Sequence, residues 1–136
     1  LNGDADLALR TVEGFLRAAV EAVPTGKQNA FAAHNPPSLV FAVVRKGGMG
    51  WSLVNAFERP VRAQRDGGLV APSVKALADY WERLCQVYGT DTVASTATLA
   101  LEEDLPLGVL KDAQVDNLEA WVRRVMEALP KPGGKV

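Results

Sequence analysis

Apolar residues recur every three or four positions in three stretches of the chain, which predicts three amphipathic α-helices. The first stretch spans residues 4–24, the second residues 73–89 and the third residues 116–130. In the first helix the periodic apolar positions are Ala8, Val12, Phe15, Leu16, Ala19, Val20 and Val23. These stripes predict that each helix buries one face against a common core.

The ends of these helices carry recognisable signals. Ser73 is predicted to cap the second helix, and Gly89 supplies the left-handed residue that ends it. Asp116 and Glu119 fit a capping box at the start of the third helix, and Pro130 follows its last turn.

Three other stretches are rich in β-branched and aromatic residues and predict strands at residues 38–45, 51–57 and 92–101. The glycine-rich cluster 47–50 separates the first two strands and predicts a β-hairpin. The order helix, strand, strand, helix, strand, helix fits a β-α-β-β-α-β fold that lacks its first strand. We therefore predict an α+β fold, an antiparallel sheet with helices packed on one face, and an unpaired sheet edge covered by another strand or a loop.

The composition limits the cellular environment expected for this chain. The chain has 136 residues, of which 48% are hydrophobic, and its formal net charge is −1. No apolar run approaches the roughly 20 residues that span a bilayer, so no membrane partner is expected. The one cysteine, Cys85, cannot form an internal disulfide, which favours a cytoplasmic protein. Cys85 lies beside the stripe of the second helix and is predicted to be a small core residue.

The charges are unevenly distributed along the chain. The segment 25–65, here called the basic middle, contains six basic side chains and only one acidic side chain, Glu58. Both flanking parts of the chain are acidic. Because electrostatic attraction acts over about one Debye length, roughly 10 Å, such a segment can attract a polyanion locally. The basic middle therefore favours a nucleic-acid partner without requiring one.

Catalytic and metal sites find little support in the sequence. A hydrolytic triad would need His34 as its base, yet no nucleophile signature accompanies this histidine. One His and one Cys cannot supply a usual zinc site. The acidic cluster 102–104 is predicted to be a solvated turn. We therefore expect no enzyme activity, no metal and no cofactor.

The loop after the first helix has the residue types of a phosphate contact. Gly26 allows close backbone approach, Lys27 supplies a positive charge, and the side-chain amides of Gln28 and Asn29 can bond ribose or base edges. On residue types alone, a polar turn anchored by a buried Phe31 is the better explanation of the same residues.

Three sequence blocks resemble the C-terminal part of the CasC family, the backbone subunits of the type I-E CRISPR surveillance complex Cascade. The blocks are T-G-K-Q-N-A-F-A-A-H-N-P-P-S-L-V at 25–40, W-S-L-V-N-A-F-E-R-P-V at 51–61 and S-V-K-A-L-A-D-Y-W at 73–81. The resemblance implies that residues 1–136 are the C-terminal portion of a modified RNA-recognition-motif palm, with 130–136 as a flexible tail. The absence of an initiator Met before Leu1 agrees with a longer subunit.

The resemblance also implies a function. CasC copies assemble head to tail along CRISPR RNA, together with other Cascade subunits, and display the guide for pairing with target DNA. By this resemblance the loop from Gly26 to Asn29 faces RNA. The predicted RNA-binding set is Gly26, Lys27, Gln28, Asn29, His34 and Arg45.

Two alternative functions stay open at this point. The first is an RNA-processing endoribonuclease of a CRISPR system that uses His34 and the acidic cluster 102–104 as catalytic groups. The second is a protein-interaction module that uses its tryptophan-bearing helices and binds no RNA.

Overall fold

The computed structural model of the chain describes residues 2–22, 35–65 and 67–130. Three helices and two strands account for most of these residues: α1 (Asn2–Glu21), β1 (Leu39–Arg45), α2 (Val70–Tyr88), β2 (Val93–Ala100) and α3 (Leu118–Glu127). Two short 3-10 helices, Val54–Phe57 and Gly108–Ala113, connect them. The predicted α+β class, the three helices and the strands at 38–45 and 92–101 are confirmed. Among these residues no helix is both long enough and apolar enough to cross a bilayer.

The predicted hairpin is wrong, because β1 pairs with β2 and not with residues 51–57. The two strands run antiparallel from Leu39 opposite Ala100 to Arg45 opposite Val93, with an irregularity after Val44. Gly47 and Gly48 adopt φ angles of 94° and 75°, which only glycine reaches without strain, and they lead the chain out of the sheet. The backbone of 53–58 then bonds locally, as 3-10 turns, instead of to a strand.

Helices cover both faces of the sheet, which corrects the predicted packing on one face. Leu39, Phe41 and Val43 of β1 pack toward α2, whereas the alternate residues Val40, Ala42 and Val44 pack toward α1 and α3. Because successive side chains of a strand point to opposite faces, a strand with six consecutive apolar residues suits burial on both sides. The continuous run 39–44 was the signal for this arrangement.

Each face of the sheet has its own core. The cluster on the α2 face, here the α2-side core, consists of Val74, Ala78, Trp81, Leu105, Leu107 and Leu110. The cluster on the opposite face, the α3-side core, consists of Ala97, Trp121, Val122 and Val125. The fully buried Thr98 of β2 donates its hydroxyl proton to the carbonyl of Leu110 at 2.8 Å and so joins the second 3-10 helix to the sheet.

The helix ends confirm one predicted signal and correct two. Gly89, with φ of 77°, follows α2 as predicted. However, α2 begins at Val70, ahead of the predicted cap Ser73. The predicted capping box of Asp116 and Glu119 is wrong. The cap of α3 is Asn117, whose side-chain oxygen accepts the backbone N–H of Ala120 at 2.8 Å. Asn117 can do this because its backbone is extended, as a helix-capping residue requires.

One partly buried stripe and one ion-pair cluster fix α1 on the α3-side core. Leu16 and Val20 pack against that core, whereas Phe15, which was predicted on the same stripe, is 69% exposed. Arg17 donates to Glu119 of α3 at 2.6 and 2.9 Å and to Glu13 at 3.1 Å. The hydrogen bonds from Arg17 hold the pKa of Glu119 below its ordinary value. This interaction stabilises the docked helix at pH values above the pKa of Glu119 and is lost as that carboxylate protonates.

The sheet has one open edge within the described ranges. Beside β2, Gln114 forms a single parallel bridge to Thr98, and the N–H of Val115 donates to the carbonyl of Thr98 at 2.9 Å. The outer edge of β1 has no strand partner among these residues. The predicted open edge is therefore confirmed, and its cover stays a prediction.

Candidate nucleic-acid interface

Most of the predicted RNA-binding set lies outside the described residues. This applies to Gly26, Lys27, Gln28, Asn29 and His34. The described chain on either side shows where their segment is attached. Glu21 at the end of α1 and Asn35 before β1 line the same cleft, which has a volume of about 540 Å³. The segment that carries Lys27 therefore leaves and re-enters the fold at one place, where β1 begins and β2 ends.

Arg45, the remaining member of the set, lies at the other end of β1. β1 has seven residues, so Arg45 lies six positions beyond Leu39, which at about 3.3 Å per residue places it roughly 20 Å from the start of the strand. Arg45 and the attachment points of the Lys27 segment therefore belong to different ends of the sheet.

The guanidinium of Arg45 makes three contacts within the protein. It donates to the hydroxyl of Thr92 at 2.9 Å and to the carbonyl of Met49, and it lies 4.1 Å from the ring centroid of Trp51. Its Nε is buried and finds no hydrogen-bond partner among the described residues. These contacts join the turn after β1 to the residue that precedes β2, so Arg45 has a structural role whether or not it also binds RNA.

An aromatic cluster that the sequence pattern does not predict surrounds this arginine. Trp51 lies 6.0 Å from Trp81 and 6.3 Å from Tyr88, and Phe41 lies 5.4 Å from Trp81 in an edge-to-face arrangement. Arg45, Trp51 and Trp81 line a cleft of about 530 Å³. Trp51 was assigned to a strand and Trp81 to a helix stripe, and neither pattern indicates that the two side chains meet.

We expect Arg45→Lys to lower the free energy of unfolding by about 1–2 kcal/mol, because lysine keeps the charge but loses the planar fork and the stacking on Trp51. Urea denaturation of wild type and variant measures this difference. Arg83→Lys, on an exposed part of α2, is the matched control and should leave stability unchanged. Equal stability of the two variants would show that the contacts of Arg45 contribute nothing.

The other described basic residues of the basic middle are exposed. They are Lys46, Arg59, Arg62 and Arg65. No ion pair within 2–22, 35–65 or 67–130 involves any of them. Arg59, Arg62 and Arg65 follow one another at every third position in a segment without regular secondary structure. Their side chains are therefore available to an anionic partner.

His34, one of the candidate catalytic groups, lies outside the described residues, so only the acidic cluster can be placed. The acidic residues 102–104 are exposed in a turn after β2, as predicted. Burial raises the pKa of the Cys85 thiol, which packs beside the α2-side core as predicted and stays protonated near neutral pH. Where the chain is described, no group of His, Cys, Asp and Glu side chains could hold a metal ion.

A family model and two solved chains match this sequence. Residues 1–128 match the family described as CT1975-like protein. A solved chain described as "CRISPR RNA-guided surveillance complex" superposes with a TM-score of 0.80 at 32% identity, over 93% of this chain and 46% of the solved one. A second, described as "CRISPR RNA-guided surveillance complex, pre-nicking", gives a TM-score of 0.77 at 32% identity, over 93% of this chain and 33% of the solved one. No curated protein matches.

The chain thus spans less than half the length of either solved chain. Because the family match covers nearly all of the sequence, the chain belongs to the CT1975-like family of Cas proteins.

Proposed function

We propose that the protein is a non-catalytic scaffold subunit of the CasC type, which binds the backbone of CRISPR RNA in a type I-E Cascade complex. The observation that carries this proposal is the structural likeness over 93% of the chain to a CRISPR RNA-guided surveillance complex, at 32% identity. Identity at this level over nearly all of this chain favours a shared role as well as a shared architecture.

The charge distribution supports contact with an RNA backbone. Lys46, Arg59, Arg62 and Arg65 are exposed, and Lys27 lies in a segment whose two attachment points share one cleft. In guide complexes base pairing reads the target sequence, so the protein needs phosphate and sugar contacts and no base-reading pocket. Target DNA would then reach this subunit only through the guide.

The proposal also covers assembly and chemistry. Several copies would lie head to tail along one guide, beside other Cascade subunits, and no catalytic step and no cofactor is assigned to the chain.

Lys27→Ala tests the RNA contact. We expect the variant to bind CRISPR RNA about fivefold more weakly near 0.1 M salt, and the slope of log affinity against log salt to fall by about 0.7, as for one lost phosphate contact. The complex reconstituted with its CRISPR RNA is the material to measure.

Lys75→Ala is the matched control, since Lys75 is an exposed lysine of α2 that pairs with Asp79. If Lys27→Ala and Lys75→Ala bind alike, the assigned loop is wrong. Specific cleavage of precursor RNA that His34→Ala abolishes would overturn the non-catalytic assignment.

A further inference from the structure

The cleft beside Arg45 has the composition of a binding site, and the proposed function does not use it. Its volume of about 530 Å³ lies within the range of roughly 300–1,000 Å³ that is typical of ligand pockets. Among the described residues, one arginine and five large apolar side chains line it: Arg45, Phe41, Val43, Trp51, Leu53 and Trp81. The cleft, here the Arg45 cleft, therefore combines an apolar wall with one positive charge.

The protein leaves the guanidinium of Arg45 partly unsatisfied. A guanidinium carries a donor on each of its nitrogens, and the contacts with Met49 and Thr92 use only Nη1 and Nη2. The buried Nε has no partner in the ranges 2–22, 35–65 and 67–130. No carboxylate in these ranges lies within ion-pair distance of Arg45 or of the exposed Lys46. Because a half-buried charge without a counter-charge is unfavourable, the cleft is complementary to a carboxylate.

Apolar surface continues from the cleft onto its rim. Met49, whose carbonyl accepts from Arg45, is 88% exposed, so its side chain does not fill the cleft. Tyr88 is 72% exposed, and its ring lies 6.3 Å from that of Trp51. Aromatic residues, methionine and arginine are the types enriched in the centre of protein–protein interfaces. A small ligand inside the cleft would leave this rim uncovered, so the surface favours a protein segment as its occupant.

A nucleic-acid strand fits this surface less well. Proteins that hold such a strand provide a line of positive charges for successive phosphates, whereas Arg45 is the one charged residue in the described lining. An acidic side chain next to an apolar one matches both features of the cleft. Charge complementarity and the apolar rim therefore favour an acidic peptide over a phosphodiester chain.

We propose that the Arg45 cleft, with Met49 and Tyr88 at its rim, binds a peptide segment of a partner protein that carries an acidic residue beside an apolar one. The carboxylate of the peptide accepts hydrogen bonds from the guanidinium of Arg45. The apolar side chain enters the cleft and contacts Trp51 and Trp81. This inference goes beyond the proposed function and does not rest on it.

Fluorescence anisotropy with labelled peptides tests the site on the whole chain. The probes have the sequence Gly-Ser-X-Glu-Z-Ser-Gly, in which X and Z are leucine, phenylalanine or tryptophan. Each is paired with the same peptide that carries glutamine in place of glutamate. We expect a glutamate peptide to bind and its glutamine counterpart to bind at least about tenfold more weakly, because the ion pair with Arg45 is lost.

A charge variant and its control locate the carboxylate. Arg45→Gln should weaken binding of the glutamate peptide at least about tenfold and should abolish the preference for glutamate over glutamine. A loss of stability alone would not remove this preference. Arg83→Gln, at an exposed position of α2, is the matched control and should change the affinity less than about twofold.

A rim variant tests the apolar contact without disturbing the core. Met49→Ala removes an 88% exposed side chain and should weaken peptide binding about threefold. Leu7→Ala removes a 63% exposed side chain from α1 and should leave the affinity unchanged. Thermal unfolding of each variant verifies that the fold is retained.

Three results would overturn the proposal: no binding of any glutamate peptide at low salt, equal binding of glutamate and glutamine peptides, or equal losses for Arg45→Gln and Arg83→Gln. If Arg45→Gln weakens binding of an oligouridine RNA and of no peptide, the cleft belongs to a nucleic-acid interface and the peptide site is wrong. The peptide measurements contain no RNA, so their failure is distinguishable from a failure of the proposed function, which Lys27→Ala tests.

Discussion

Trp121→Ala is expected to lower the free energy of unfolding by about 4 kcal/mol, within the range for large aromatic deletions in a core. Trp121 is 3% exposed in the α3-side core, and its indole N–H donates to the carbonyl of Ala97 at 3.2 Å. The substitution removes both the packing and this donor. Because a domain has only about 5–15 kcal/mol of total stability, the loss is large enough to read directly from the midpoint of urea denaturation.

Phe15→Ala is the control for this substitution, since it deletes an aromatic side chain that is 69% exposed on α1. It should change stability by less than about 0.5 kcal/mol. If Trp121→Ala destabilised the protein no more than Phe15→Ala, α3 would not form a core against the sheet.

Leu110→Ala is expected to destabilise the protein by about 3 kcal/mol through the opposite face of the sheet. Leu110 is 1% exposed in the α2-side core. Its carbonyl accepts the hydroxyl of Thr98, and this hydrogen bond survives the substitution because it uses the backbone. The measured loss, from urea denaturation, therefore reports side-chain packing alone.

Leu7→Ala, at an exposed leucine of α1, is the control for Leu110→Ala and should be nearly neutral. The double variant Trp121→Ala/Leu110→Ala tests the two-faced architecture. Because the two cores lie on opposite faces of the sheet, we expect their effects to add within about 0.5 kcal/mol. A large departure from additivity would contradict two separate cores.

Local patterns were sufficient for the helices and for β1 and β2. The apolar spacing of α2 and the glycine at its end predicted an element that the structure places within a few residues, because both signals act along one helix. The charge pattern likewise indicated an exposed basic segment, which the structure shows at Arg59, Arg62 and Arg65.

These local patterns do not determine which strands pair or which side chains meet. Residues 51–57 are rich in aromatic and aliphatic side chains, as strands are, yet β1 pairs with β2, some fifty residues further along the chain. Strand propensity describes a fit to a half-buried surface and does not specify the neighbouring strand. Arg45 is a similar case, since its partner Thr92 lies 47 positions away in the sequence.

By itself, the sequence determined the three helices and the strands β1 and β2, that the chain carries a basic middle, and which family its blocks resemble. The tertiary structure alone decided that helices cover both faces of the sheet, that Arg45 contacts Trp51 and Thr92, and that Phe57 and Leu69 line one cleft. The physical reason is the distance along the sequence over which each property is determined. Periodicity and capping depend on residues within one element, whereas burial and side-chain partners depend on how distant segments pack.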